Sequence, residues 1–172
     1  DVMNERAGFD TKVVLVQPRA PHGESTRTCR TLTEQEGLYT LLLRGMQEGK
    51  RVEQTRIISC VSRCLNSHTD FDALLECASN PHLRFITCNT TEAGIVYDPS
   101  CRFTDRPAAS FPAKLTQFLY ARYRAFGTQP GKGFVILACE LIDDNGKELE
   151  RCVLRHAKEW KLEDAFLSWL TK

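Results

Sequence analysis

LRFITCNTTEAGIVY, Leu83 to Tyr97, is a strand-forming run that stops on a polar turn. Leu83 to Thr87 reads as a buried strand, and Cys88 to Gly94 as the turn that ends it. In an open α/β sheet, ligands bind in the crevice at the carboxyl ends of the strands. The sequence thus places three hydrogen-bonding side chains (Asn89, Thr90 and Thr91) and one carboxylate (Glu92) at such an edge. Two readings are open here. Asn, Thr and Gly are ordinary residues of a solvated turn, and they are equally the groups that a polar ligand would meet.

The same pattern continues on both sides. Lys12 to Gln17, KVVLVQ, and Gly133 to Cys139, GFVILAC, are nearly all apolar and rich in β-branched residues. Both suit strands covered on two faces. Leu38 to Arg44 and Arg56 to Leu65 read as further strands, the first followed by a turn at Gly45 to Gly49. Helical spacing appears at Asp70 to Ser79, stopped by Asn80-Pro81. It is clearest after Ser110, a cap with Pro112 in the first turn, where Leu115, Phe118, Leu119, Arg122 and Tyr123 share one face. Lys147 to Trp160 and Leu162 to Leu170 complete the helices, and Asp1 to Asp10 reads as a helix closed by Gly8. Ala20 to Arg30 reads as a polar loop, in which Arg19, Arg27 and Arg30 either face a phosphate or are solvated. Apolar strands alternating with amphipathic helices predict an α/β fold with a mainly parallel sheet.

Composition narrows the function. A net charge of +1 gives no bulk electrostatic attraction for nucleic acid or an anionic membrane. No apolar run approaches the roughly 20 residues that span a bilayer. Eight cysteines form no C-x-x-C pair and no cluster with histidine, so no metal site is expected. They are read as free thiols in a reducing cytoplasm. Asn89-Thr90-Thr91 matches a glycosylation sequon as a pattern only. There is no G-x-G-x-x-G and no P-loop.

Five stretches taken together resemble the N-terminal domain of the mannitol dehydrogenase family of polyol dehydrogenases. They are KVVLVQP (Lys12 to Pro18), EGLYTLLLRG (Glu36 to Gly45), RFITCNTTEAGIVY (Arg84 to Tyr97), SFPAKLTQFLYARY (Ser110 to Tyr123) and GFVILACELIDDNG (Gly133 to Gly146). The CELI segment, Cys139 to Ile142, is similar to the branch that reduces tagaturonate. The resemblance implies a Rossmann-like domain over residues 1–172, with flanking helices. That domain is incomplete, because the first strand and its phosphate-binding turn would precede Asp1 and a helical substrate domain would follow. It implies NAD as cofactor and a small sugar acid as substrate.

On the same grounds Gln17, at the end of the second Rossmann strand, would meet the adenosine ribose. Asn89, Thr90 and Thr91 would line the cofactor, and Glu92 would stand beside the substrate. The mannitol branch carries an Asn where Leu141 stands here, so that Asn's role does not transfer. Glu140 either meets a polar substrate group or is only a strand-end carboxylate. No residue is assigned as catalytic, because the family's K-x-x-x-x-N-x-x-H pattern does not occur. The alternatives are a non-catalytic nucleotide-binding or protein-interaction module, and a thiol enzyme for which no cysteine has a well-spaced histidine.

Overall fold

The structure, a computed structural model, describes residues 1–20 and 24–171, with the backbone alone at residues 24–26 and 92. The chain divides into two compact units, Asp1–Asp70 and Phe71–Lys172.

The first unit opens with helix α1 (Val2–Ala7), which stops at Gly8 in the left-handed conformation that glycine adopts without strain. Strand β1 (Val13–Gln17) follows, then α2 (Glu24–Glu34), β2 (Tyr39–Gln47), β3 (Lys50–Ile58) and β4 (Val61–Asn66). β1 and β4 run parallel, with Gln17 opposite Asn66 at their carboxyl ends. β2 and β3 form an antiparallel hairpin closed by Glu48 and Gly49. Both of those residues have positive φ, as a tight two-residue hairpin loop requires.

Three expectations are corrected here. The stretch read as a polar loop from Ala20 to Arg30 contains most of α2. Arg27, Thr28, Arg30 and Thr33 are exposed, while Leu32 is buried. The Thr33 hydroxyl bonds back to the Cys29 carbonyl, and Arg30 pairs with Glu34 one turn on. The run from Arg56 to Leu65 is not one strand. It breaks at Ser59-Cys60, where Lys12 donates to the Ser59 carbonyl and the Asp1 carboxylate accepts from the Ser59 amide. Finally, the cysteines are not all free: Cys29 of α2 and Cys64 of β4 form a disulfide. The helix seats on the strand and brings their Cα atoms to 5.1 Å, within disulfide reach.

The second unit runs through α3 (Phe71–Cys77), β5 (Phe85–Cys88), a 3₁₀ turn (Glu92–Gly94), α4 (Phe111–Phe126), β6 (Val135–Ala138), α5 (Asn145–Glu159) and α6 (Asp164–Leu170). β5 and β6 pair in parallel, Phe85 with Val135 through Cys88 with Ala138, so β5–α4–β6 is a β-α-β unit. The Ser110 hydroxyl caps α4 by accepting from the Ala113 amide. Leu115 and Leu119 of α4 and Leu149 and Val153 of α5 close over Cys88, Ile86 and Ile136 to make the core. The other face of the pair is open: Val135 is 53% and Leu137 50% exposed. The expected two-sided burial of this strand, and of β1 with its exposed Val13 and Val16, is therefore not observed within either unit. β5 and β6 keep the period of two, with one face against the helices.

Candidate functional site

The parallel ladder of the second unit ends where the Cys139 amide donates to the Cys88 carbonyl at 2.9 Å. Just beyond it the chain places Glu140, only 3% exposed. One of its oxygens accepts from both the amide and the hydroxyl of Thr90, each at 2.9 Å. The other lies 3.7 Å from the Cys88 sulfur, which donates to it. Burial alone would raise the pKa of this carboxyl. The hydrogen bonds from the Thr90 amide, its own amide, the Thr90 hydroxyl and the Cys88 thiol outweigh that cost and hold it below the ordinary glutamate value. The same arrangement pushes Cys88 up to about 12, through burial first and the neighbouring Glu140 second, so its thiol stays protonated. Asn145, at the start of α5, donates to the carbonyls of Ala138 and Glu140 at 2.8 and 2.9 Å and fixes the backbone of this corner.

The turn opposite is strained. Thr91 has φ 76 and ψ 166, a region that essentially only glycine occupies, and a β-branched residue there has to be held by its surroundings. Such outliers cluster at ligand clamps and active sites. The Gly94 amide donates to the Thr91 carbonyl at 2.9 Å. A Cβ on Gly94 would lie 2.1 Å from the Thr90 hydroxyl oxygen, so the turn closes only with glycine there. Asn89 and Thr91 are exposed, and Thr90 is half-buried against Glu140. The side chain of Glu92 lies outside the described residues.

The structure thus brings Thr90 and Glu140 together. Both oxygens of Glu140 face protein donors. Leu141, next in the chain, is 87% exposed.

Gln17 belongs to the other unit and ends β1 beside Asn66. Its carbonyl accepts from the Ser67 amide, and its side-chain oxygen lies 3.8 Å from the disulfide-bonded sulfur of Cys29. Two polar residues at this rim were not singled out from the sequence. Asn66 donates to the Arg19 carbonyl, and Ser67 has a buried hydroxyl with no hydrogen-bond partner. An orphaned buried hydroxyl is rare enough to mark a place that a ligand or water completes. The signal available was their position at the carboxyl end of the run from Arg56 to Leu65. Arg19 and Arg27 are exposed, and Arg30 is engaged with Glu34. Among the described residues no group of three or more His, Cys, Asp or Glu is placed to hold a metal ion, and no helix is long and apolar enough to cross a membrane.

Each unit, with its parallel strand pair and polar residues at the carboxyl ends, is of the open α/β class, in which ligands bind at those ends. The chain belongs to the mannitol dehydrogenase family: the profile of the mannitol dehydrogenase Rossmann domain matches residues 1–172. Altronate oxidoreductases from Bacillus subtilis (strain 168) and Klebsiella pneumoniae subsp. pneumoniae are each 46% identical to it, and that of Escherichia coli O7:K1 is 43% identical. Each match covers 99% of this chain but only 34–35% of the relative, so the chain spans about a third of their length. Among solved structures, mannitol 2-dehydrogenase of Pseudomonas fluorescens, in a ternary complex with NAD and D-mannitol, matches with TM-score 0.76 at 20% identity. A substrate-free D-sorbitol dehydrogenase matches with TM-score 0.74 at 17% identity. Each covers 99% of this chain and is itself covered over 35%. At such identities the likeness is one of fold.

Proposed function

We propose that this chain is the NAD-binding part of an oxidoreductase that interconverts tagaturonate and altronate by hydride transfer. The observation that carries the reading is the strained turn at the carboxyl end of β5, clamped to Glu140 at the end of β6, within a member of the mannitol dehydrogenase family. The identity to altronate oxidoreductases supports the sugar-acid branch. The NAD held by the Pseudomonas fluorescens neighbour supports the cofactor.

When bound, NADH supplies the hydride for the keto carbon of the sugar acid. In this reading the chain's own residues bind and orient. Gln17 meets the adenosine ribose. Gln17 carries no charge to choose between NAD and NADP, so the choice of NAD rests on the family. Asn89 and Thr91 present amide and hydroxyl groups toward the nicotinamide half, with Thr90 behind them, and Glu92 stands beside the substrate. The keto oxygen also needs a proton. No K-x-x-x-x-N-x-x-H segment occurs in residues 1–172, so we assign that step to a helical substrate domain elsewhere in the longer protein. We place the reaction in the cytoplasm, where the six free cysteines are at home and the Cys29–Cys64 bond is the exception.

The test is NADH oxidation by the full-length protein with tagaturonate, fructuronate and fructose in parallel. The reading expects the highest kcat/KM on tagaturonate and little or no turnover by residues 1–172 alone. Preference for fructose, or full turnover by the 172 residues, contradicts it.

A further inference from the structure

We infer that Glu140 is a positioning residue: by gripping the amide and the hydroxyl of Thr90 it holds the Asn89-Thr90-Thr91 turn in the shape that receives the cofactor. The inference rests on the reading of that turn as a cofactor-binding element.

Glu140 is almost wholly enclosed, and both of its oxygens face protein donors. One oxygen takes both Thr90 donors and the other faces the Cys88 thiol. Its backbone is fixed by Asn145, so the carboxylate is aimed by the start of α5 and not by its own flexibility. On the far side Thr90 abuts Gly94, which leaves its hydroxyl one direction to point. The next residue, Thr91, is left with φ 76. Strain of this kind persists only where neighbouring contacts over-determine the backbone. The contacts that do so here are the two bonds to Glu140 and the one from Gly94 to Thr91. A turn already held in its bound shape loses less freedom on binding, so its affinity depends on the clamp even though the clamp never touches the ligand.

The test uses the isotope-labelled full chain as wild type, Glu140→Ala, Glu140→Gln, Thr90→Val and Thr90→Ser. Amide hydrogen exchange at Thr90 and the HN–Hα coupling of Thr91 report the turn. NADH fluorescence titration reports affinity. Glu140→Gln keeps an acceptor oxygen and the side-chain shape, and Thr90→Ser keeps the hydroxyl, so both guard against a variant that simply fails to fold. In Glu140→Ala and Thr90→Val, Thr90 protection is expected to fall by about tenfold or more, and NADH binding to weaken by a similar factor. The Gln and Ser variants are expected to stay within about threefold of wild type. Unchanged Thr90 protection and unchanged Thr91 coupling in folded Glu140→Ala overturn the inference, whatever NADH does. Gln and Ser variants no better than Ala and Val overturn it as well. Full-length wild-type protein that shows the protected Thr90 but takes up no NADH instead overturns the cofactor reading and leaves the clamp standing.

Discussion

The guanidinium of Arg122 lies 4.6 Å from the ring centre of Phe134, the residue just before β6. A second ring, Phe126, stands 4.4 Å away. Between these rings Arg122, 1% exposed, donates to the carbonyls of Ala78, Asn80, Leu83 and Lys132. It therefore ties the end of α3, the approach to β5 and the approach to β6 into one corner, which aligns the amino ends of the two parallel strands. Arg122→Met leaves several buried carbonyls unpaired, and we expect it to cost about 2–4 kcal/mol. Arg122→Lys recovers only part of this, because an ammonium cannot reach four carbonyls in a plane. Urea unfolding of the variants, followed by tryptophan fluorescence, measures both.

Gly94→Ala brings a methyl group against the Thr90 hydroxyl and its Cβ, at 2.1 and 2.5 Å. Thr90 is β-branched and bonded to Glu140, so it cannot swing aside cheaply. The expected cost is about 1–3 kcal/mol of stability, with weaker NADH binding than the stability loss alone explains. Thermal unfolding and NADH titration of the same sample separate the two.

Gly37 has φ +80, and a Cβ there would lie 2.2 Å from the Val61 carbonyl oxygen at the start of β4. Both the backbone conformation and the close approach require glycine. Gly37→Ala should lower stability by about 2 kcal/mol or more. Hydrogen exchange should locate the loss at β1 and β4 and leave β5 and β6 protected.

Acid should loosen the second unit in two stages. His156 is buried between the rings of Tyr97 and Trp160, with no hydrogen-bond partner for Nε2. Burial lowers its pKa; Asp98 and Glu159 raise it and Arg155 lowers it, with a net depression. Below the ordinary histidine value of about 6.5 the unfolded chain takes up a proton that the folded chain refuses. Stability should therefore be full above that value and fall as pH drops from there to the lower folded pKa. The Glu140 contribution, also from a depressed pKa, is present above the ordinary carboxylate value and lost as pH falls through the folded one. Unfolding midpoints measured from pH 8 to about 2 should decline, and His156→Phe should remove the upper part of the decline while leaving the lower.

Much of this architecture is legible in the sequence, for physical reasons that differ from element to element. β5 and β6 are marked by β-branched runs bounded by Asn80-Pro81 and Gly133, and α4 by Ser110 and Pro112; local chemistry decides these. Helix α2 is not legible, because its Ser and Thr residues favour caps and turns in isolation and tertiary packing on β4 overrides them. The open faces of β1 and β6 are hidden as well, since an apolar strand reads the same whether one face or both are covered. The pairing of Thr90 with Glu140 spans 50 residues and leaves no local pattern. The sequence alone could only weigh Glu140 as a substrate contact or a strand-end carboxylate. Ser67 follows a strand end that is legible, but no local pattern shows that its hydroxyl is buried without a partner.

The most direct measurement of the account's central claim is a map of NADH binding on the amide resonances of the labelled full-length protein. The account predicts saturable shifts at the carboxyl ends of the parallel strands, at Gln17 and Ser67 and at Asn89, Thr90 and Thr91, with the amino ends near Lys12 and Arg84 undisturbed. Shifts gathered at those amino ends, or no saturable response at Asn89 to Thr91, would contradict it.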